Sequence, residues 1–182
     1  GRWLADETES ESYNATWPID RIKVEPSGAL SQTRLQFPKE DARTGVSTPL
    51  EVYTRFLKQY SAHNMADDFD GWAAMHLFPH TVHTEVMDRT IKAPEGLRDF
   101  FDMLGRIIRE NGADRFDRAP SRAEFLSSNK ICGYHIGTIT RGDEVVLGPI
   151  KSRMILQRVG PNWFLRSVTN SVANDVFPYK KP

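Results

Sequence analysis

The sequence predicts an α+β domain in which three helices pack on a strongly curved, mostly antiparallel sheet. Three observations predict it. Apolar stripes at helical spacing are confined to the stretch between residues 48 and 112. From Lys130 to Asn174 the chain instead reads as consecutive strands, Lys130–Thr140, Val145–Val159 and Trp163–Val172, joined by the compact Gly-containing turns Arg141-Gly142-Asp143-Glu144 and Gly160-Pro161-Asn162. Gly148-Pro149 then interrupts the longest strand, which marks a bulge that curls a sheet.

Residues 1–47 form an N-terminal arm. Its acidic start, Asp6 to Ser12, has nothing to bury and is expected to be flexible. Ile19–Glu25 and Ala29–Phe37, separated by Pro26-Ser27-Gly28, have hairpin character; two strands alone are barely stable, so the arm is expected to lie on the main domain or on a second subunit. Asn14-Ala15-Thr16 matches a glycosylation sequon, a triplet that matters only in a secreted eukaryotic protein. The domain proper is placed at 48–174, with a tail at 175–182.

Thr48-Pro49-Leu50-Glu51 is a capping box with proline at the first helical position, and Val52, Tyr53, Phe56, Leu57 and Tyr60 fall on one face behind it. A second helix follows Asp67-Asp68, with Phe69, Trp72, Ala73 and His76 as its stripe and Pro79 as its end. His80–Met87 reads as a strand, Asp88-Arg89 as a turn and Thr90-Ile91-Lys92 as a short return. Pro94 opens the third helix, whose band is Leu97, Phe100, Phe101, Leu104, Ile107 and Ile108, and Asn111-Gly112 stops it. Between Arg115 and Ser127 the pattern is weaker, and Ala123–Leu126 is the expected strand.

The 182 residues suffice for one domain with a full core and are too few for two ordinary ones. Equal counts of 24 basic and 24 acidic residues give no electrostatic reason to expect nucleic acid or an anionic membrane as partner. The single cysteine, Cys132, excludes an intrachain disulfide and a Cys-based zinc knuckle, and is expected to sit in the sheet as a small apolar residue. No apolar run approaches the roughly 18 residues that span a bilayer. With no signal-peptide pattern either, a cytoplasmic location is expected; the start at Gly1-Arg2-Trp3 keeps a removed leader, and so a periplasmic or secreted site, open.

From Thr48 to Asn174 the chain resembles the NTF2-like superfamily, the cone-shaped fold of ketosteroid isomerases, scytalone dehydratase and SnoaL-like polyketide cyclases. The residues that carry the resemblance are Ala66 to Trp72 with Leu77-Phe78-Pro79, Ile91 through Glu95-Gly96-Leu97 to Phe101, and the hairpin Gly160-Pro161-Asn162-Trp163. Gly133-Tyr134-His135-Ile136-Gly137 resembles the G-x-H-x-G strand of SnoaL-like members. The resemblance implies a pocket open at one end of the cone. In the isomerases a strand carboxylate after the second helix is the base, but Thr81-Val82-His83-Thr84-Glu85 lacks their Glu-Asp-Pro and offers Glu85 only as a neighbour. Tyr60 and Tyr53 stand in for the isomerase tyrosine by helix face alone. The acidic residue of the cyclases has no counterpart around Pro149.

Among ionisable residues His135 leads. Ile131, Gly133, His135, Gly137 and Ile139 share one strand face, and two flanking glycines are expected to leave space beside the ring. With an ordinary pKa near 6.5 it would exchange protons at neutral pH without a large shift. The alternative is an imidazole that merely bonds a neighbour. His83 and Glu85, two apart, stand roughly 7 Å from each other on one strand face; alternation with Val82 and Val86 predicts instead that the valines point inward and this pair outward. His76, His80 and His83 suffice in number for a zinc site, yet Pro79 separates them, and no metal or cofactor is expected. Lys151 and Arg153 are expected on the outer sheet face. Trp72, His76, Met154, Trp163 and Asn170 are candidate lining residues, Trp163 being equally an ordinary core residue.

Three function classes stay open. The first is proton-transfer chemistry of isomerase, cyclase or dehydratase type on a small carbonyl compound, with His135 as acid/base assisted by Glu85, His83 or Asp88. The second is non-catalytic binding of a small apolar molecule. The third is homodimerisation through the sheet face.

Overall fold

The computed structural model describes residues 47–171, Val86 excepted. The proposed arm hairpin, the sequon, Val86 and the C-terminal tail lie outside the described residues. Helix α1 (Pro49–Met65) and α2 (Phe69–Ala74) precede strands β1 (His76–His83) and β2 (Asp88–Ile91). A 3-10 turn (Pro94–Leu97) then leads into α3 (Arg98–Glu110), and β3 (Arg115–Ser127), β4 (Lys130–Arg141), β5 (Glu144–Val159) and β6 (Asn162–Ser171) follow. The six strands form one sheet in the order β2-β1-β6-β5-β4-β3, antiparallel throughout except where β1 runs parallel to β6.

The predicted cap of α1 is made in full. Glu51 N donates to Thr48 Oγ1 at 3.2 Å and Thr48 N to the Glu51 carboxylate at 2.8 Å, so two otherwise orphaned amides are satisfied. The five stripe residues Val52, Tyr53, Phe56, Leu57 and Tyr60 are all buried. Asp67, in the left-handed region at φ 56, turns the chain, and Asp68 caps α2 by accepting from Gly71 N at 2.9 Å.

From there the expected layout needs correction. The second helix stops at Ala74, short of His76 and Pro79, and β1 begins where the helix was expected to continue. Positions 69, 72, 73 and 76 fit helical spacing, but Leu165 N of β6 donates to the Met75 carbonyl at 2.8 Å, and the sheet captures the backbone. Pro79 is exposed within β1, at the point where pairing with β6 shifts register. The turn is closed by Thr84 N donating to the Met87 carbonyl at 2.8 Å, and Asp88-Arg89, expected as the turn, belong to β2. Strand β3 is far longer than Ala123–Leu126. It is the edge of the sheet, mostly exposed and rich in charge, so its sequence carries little alternation although its pairing with β4 runs its whole length.

The meander forms as expected, with Gly142 (φ 55) and Gly160 (φ 58) in its turns. Gly148, at φ 114, sits where the β4–β5 register shifts, which is the anticipated bulge. The inner sheet face carries Ile131, Gly133, His135, Gly137 and Ile139 of β4 with Ile150, Ser152, Met154 and Leu156 of β5. Two apolar clusters fill the concavity. One joins α1, α2 and Phe101 to Ile131, Leu156 and Leu165; the other joins Leu104 and Ile108 of α3 to Phe116, Ile139 and Ile150.

Candidate functional site

Where the two clusters meet they leave a hollow of about 50 Å³, walled by Leu104, Phe116 and Ile150 from one and by Tyr60, Met154 and Val168 from the other. At roughly 10–15 Å³ per water, that is room for a few heavy atoms. Arg118, His135, Ser152 and Asn170 supply its polar groups.

His135 points inward and is buried. Its surroundings differ from expectation in two ways. The space at Gly133 is taken: a Cβ there would lie 2.4 Å from the Tyr53 ring, so this glycine lets the ring rest directly on β4. The Tyr53 hydroxyl thereby comes within 2.7 Å of His135 Nδ1. The second glycine, Gly137, does border the hollow. Protonation is the other difference. Burial, reinforced by the nearby positive charge of Arg118, lowers the His135 pKa to about 3, and burial pushes Tyr53 well above its usual value. At neutral pH the pair is an uncharged phenol and an uncharged imidazole.

Arg118, on β3, is the residue that sequence reasoning missed. It retains some exposed surface, yet its charged end is enclosed between the Tyr60 ring (4.7 Å) and the Phe116 ring (3.6 Å). Its hydrogen bonds go to neutral oxygens, Nη1 to Ser61 Oγ at 2.7 Å and Nη2 to Asn64 Oδ1 at 3.0 Å. Among the described residues it has no carboxylate partner. Burial lowers its pKa to about 10, which leaves it charged at neutral pH. Alternation from Phe116 would have put Arg118 on the inner face, had β3 been recognised as a strand that far upstream.

Of the other expected residues, Tyr60, Met154 and Asn170 line the hollow, and Ser152 Oγ donates to Asn170 Oδ1 at 2.8 Å. Trp72 and His76 stand instead at a second hollow of about 20 Å³ on the far side of Tyr60, Phe100 and Val168. His76 Nδ1 donates to the Trp72 carbonyl at 3.0 Å, so Nε2, 3.1 Å from the Tyr60 hydroxyl, accepts from it. Burial lowers the His76 pKa to about 3. Trp163 lies near neither hollow and packs beside Phe125 and under Arg158. Arg153 is exposed on the outer face, as expected.

His83, Glu85 and Asp88 are not brought to His135. Val82 points inward and His83 outward, where His83 Nδ1 lies 2.7 Å from the Asp88 carboxylate in an exposed pair. Exposed Glu85 accepts from Ser171 Oγ at 2.7 Å. The acid/base constellation expected around His135 is therefore not assembled in these positions, because strand alternation turns its carboxylates to solvent. Nor do the three histidines converge: His76 and His80 meet edge to face at 4.8 Å while His83 faces away. No group of three or more potential metal ligands occurs among the described residues. Among them, too, no helix is long and apolar enough to cross a membrane.

Helices packed into a curved six-stranded sheet around an interior hollow define the NTF2-like fold, also called cystatin-like. Solved structures bear this out. A domain of unknown function with a cystatin-like fold from Nostoc punctiforme aligns with a TM-score of 0.53 at 14% identity, over 69% of this chain and 78% of its own. An NTF2-like protein from Novosphingobium aromaticivorans gives 0.51 at 10% identity, over 69% and 82%. The protein Aln2 from a Streptomyces species gives 0.52 at 18% identity, over 66% and 87%. No protein-family model and no curated protein matches the sequence. The chain thus has the NTF2-like fold, and at these identities the likeness speaks for the fold alone.

Proposed function

We propose that the larger hollow binds a small molecule with a short apolar body and one anionic head, a small carboxylate in the first instance, without chemistry on it. The observation that carries this reading is Arg118: an enclosed guanidinium facing the same hollow as His135, whose own bonds go to neutral oxygens. Two of its five N–H groups are used by Ser61 and Asn64. A carboxylate entering the hollow supplies the missing counter-charge, and His135, with the Tyr53 O–H donating to Nδ1, presents a proton at Nε2 to a second oxygen. Leu104, Phe116 and Met154 receive the apolar body. Proton-transfer catalysis fits less well, since the imidazole is a weak base at a pKa of about 3 and the carboxylates of Glu85 and Asp88 are exposed and bonded elsewhere.

Calorimetric titration of acetate and propionate, with acetamide and propionamide as neutral isosteres, tests the reading. The acids are expected to bind and the amides not. Arg118→Met is expected to weaken the acids by about 10- to 100-fold, the worth of hydrogen bonds to a charged group. Equal response to acids and amides, or an unweakened variant, overturns it.

A further inference from the structure

Three polar residues stand in one row across the inner face of the sheet. Strand pairing sets His135 of β4 opposite Ser152 of β5, and Ser152 opposite Asn170 of β6. All three are buried and all three line the larger hollow. His135 enters the carboxylate reading, whereas Ser152 and Asn170 do not, although polar groups are rarely buried beside an apolar chamber without matching partners.

The hydrogen-bonding capacity of this pair is only partly used. Ser152 Oγ donates to Asn170 Oδ1 at 2.8 Å, and neither side chain has another bond among the described residues. The one hydroxyl proton of Ser152 is thereby spent, so its oxygen can only accept further. The same bond turns Oδ1 toward Ser152, and Nδ2 keeps two N–H groups to give. Among the described residues, the unpartnered buried side-chain atoms sealed from any space are Trp72 Nε1, His80 Nδ1 and Thr140 Oγ1. Asn170 Nδ2 is not one of them, and the space that Asn170 lines is this hollow. Amide geometry holds Nδ2 roughly 2.2 Å from Oδ1, hence within about 5 Å of Ser152 Oγ. An oxygen at hydrogen-bond distance from both fits such a gap. To match both it accepts from Nδ2 and donates to Oγ, as a hydroxyl does and a carboxylate, ketone or ammonium does not.

We propose that Ser152 and Asn170 form a specificity site for a hydroxyl on the anionic ligand, and that the ligand is a short 3-hydroxy acid. The inference rests on the carboxylate reading, which puts the acid group at Arg118 and His135. Ser152 stands one strand spacing from His135, about 4.8 Å. Oxygens on adjacent carbons fall short of that span, whereas a hydroxyl carbon separated from the carboxyl carbon by one methylene reaches it.

Calorimetric titration of the full chain with 3-hydroxypropionate and butyrate tests it, since the two acids differ only by a hydroxyl in place of a methyl. The hydroxy acid is expected to bind about 10-fold tighter, the worth of one or two neutral hydrogen bonds. In a hollow without such a site the order reverses, because a methyl leaves water more readily than a hydroxyl. Asn170→Leu is expected to erase the preference and Ser152→Ala to reduce it. Should the leucine variant fail to fold, the wild-type pair and the alanine variant decide. Butyrate binding as tightly as the hydroxy acid or tighter, with both weakened by Arg118→Met, overturns the inference and leaves the carboxylate reading standing. A preference that survives both substitutions also overturns it. Binding of neither acid overturns both.

Discussion

The five histidines divide between two regions of the molecule and teach what separates them. His76, His80 and His135 are buried in the concavity, and the bonds of two of them go to neutral partners: His135 to the Tyr53 hydroxyl, and His76 to the Tyr60 hydroxyl and a backbone carbonyl. His63 and His83 lie at the helix end and the sheet rim, and each is paired at 2.7 Å with an aspartate, Asp68 and Asp88. Among the described residues carboxylates therefore meet imidazoles only where water can reach both. Among the described residues the interior keeps neutral rings and a single type of charge, positive, on Arg118. An interior so arranged is poor at removing protons and well suited to receiving an anion.

Acid should separate the two regions most. The interior rings have pKa values of about 3, 4 and 3 against 6.5 when unfolded, so the unfolded chain binds more protons throughout that window. Stability is full above pH 6.5 and falls with acid at about 1.4 kcal/mol per pH unit for each ring until the folded values are reached. Urea unfolding at steps between pH 7 and 4 should show this slope, and a flat profile would mean that the rings are not enclosed as described. The next effect is that of Tyr53→Phe, which removes the partner of a buried imidazole nitrogen and should cost about 1–3 kcal/mol, read as a lowered denaturation midpoint. Smallest is His83→Ala at the rim, an exposed pair whose loss should stay within about 0.5 kcal/mol by the same measurement. A rim cost equal to the interior one would dissolve the distinction.

How far the sequence reveals this depends on whether the local pattern and the tertiary pairing agree. In β4 they agree: isoleucines and glycines recur at every second position with His135 among them, so the sequence set these residues on one face, and the structure turns that face inward. In α1 the capping box and the stripe likewise say one thing. His76 sits where they disagree, since helical spacing from Phe69 continues through it while a distant strand claims the backbone at Met75. Arg118 was hidden for a different reason. On a charged edge strand one arginine looks like its neighbours, and only the rings of Tyr60 and Phe116 closing over it set it apart. The Tyr53–His135 contact joins residues 82 positions apart, and no periodicity encodes it.

Gly137 gives the larger hollow an adjustable dimension. A Cβ placed there would meet Phe116 at 3.6 Å and the Ile150 carbonyl oxygen at 3.8 Å, ordinary contact distances, so alanine fits without forcing the sheet apart. One added methyl at this position would trim the capacity of the chamber while leaving Arg118 and His135 in place. On the proposed binding reading, size preference and head-group preference are thus written at different positions, and each is open to change without the other.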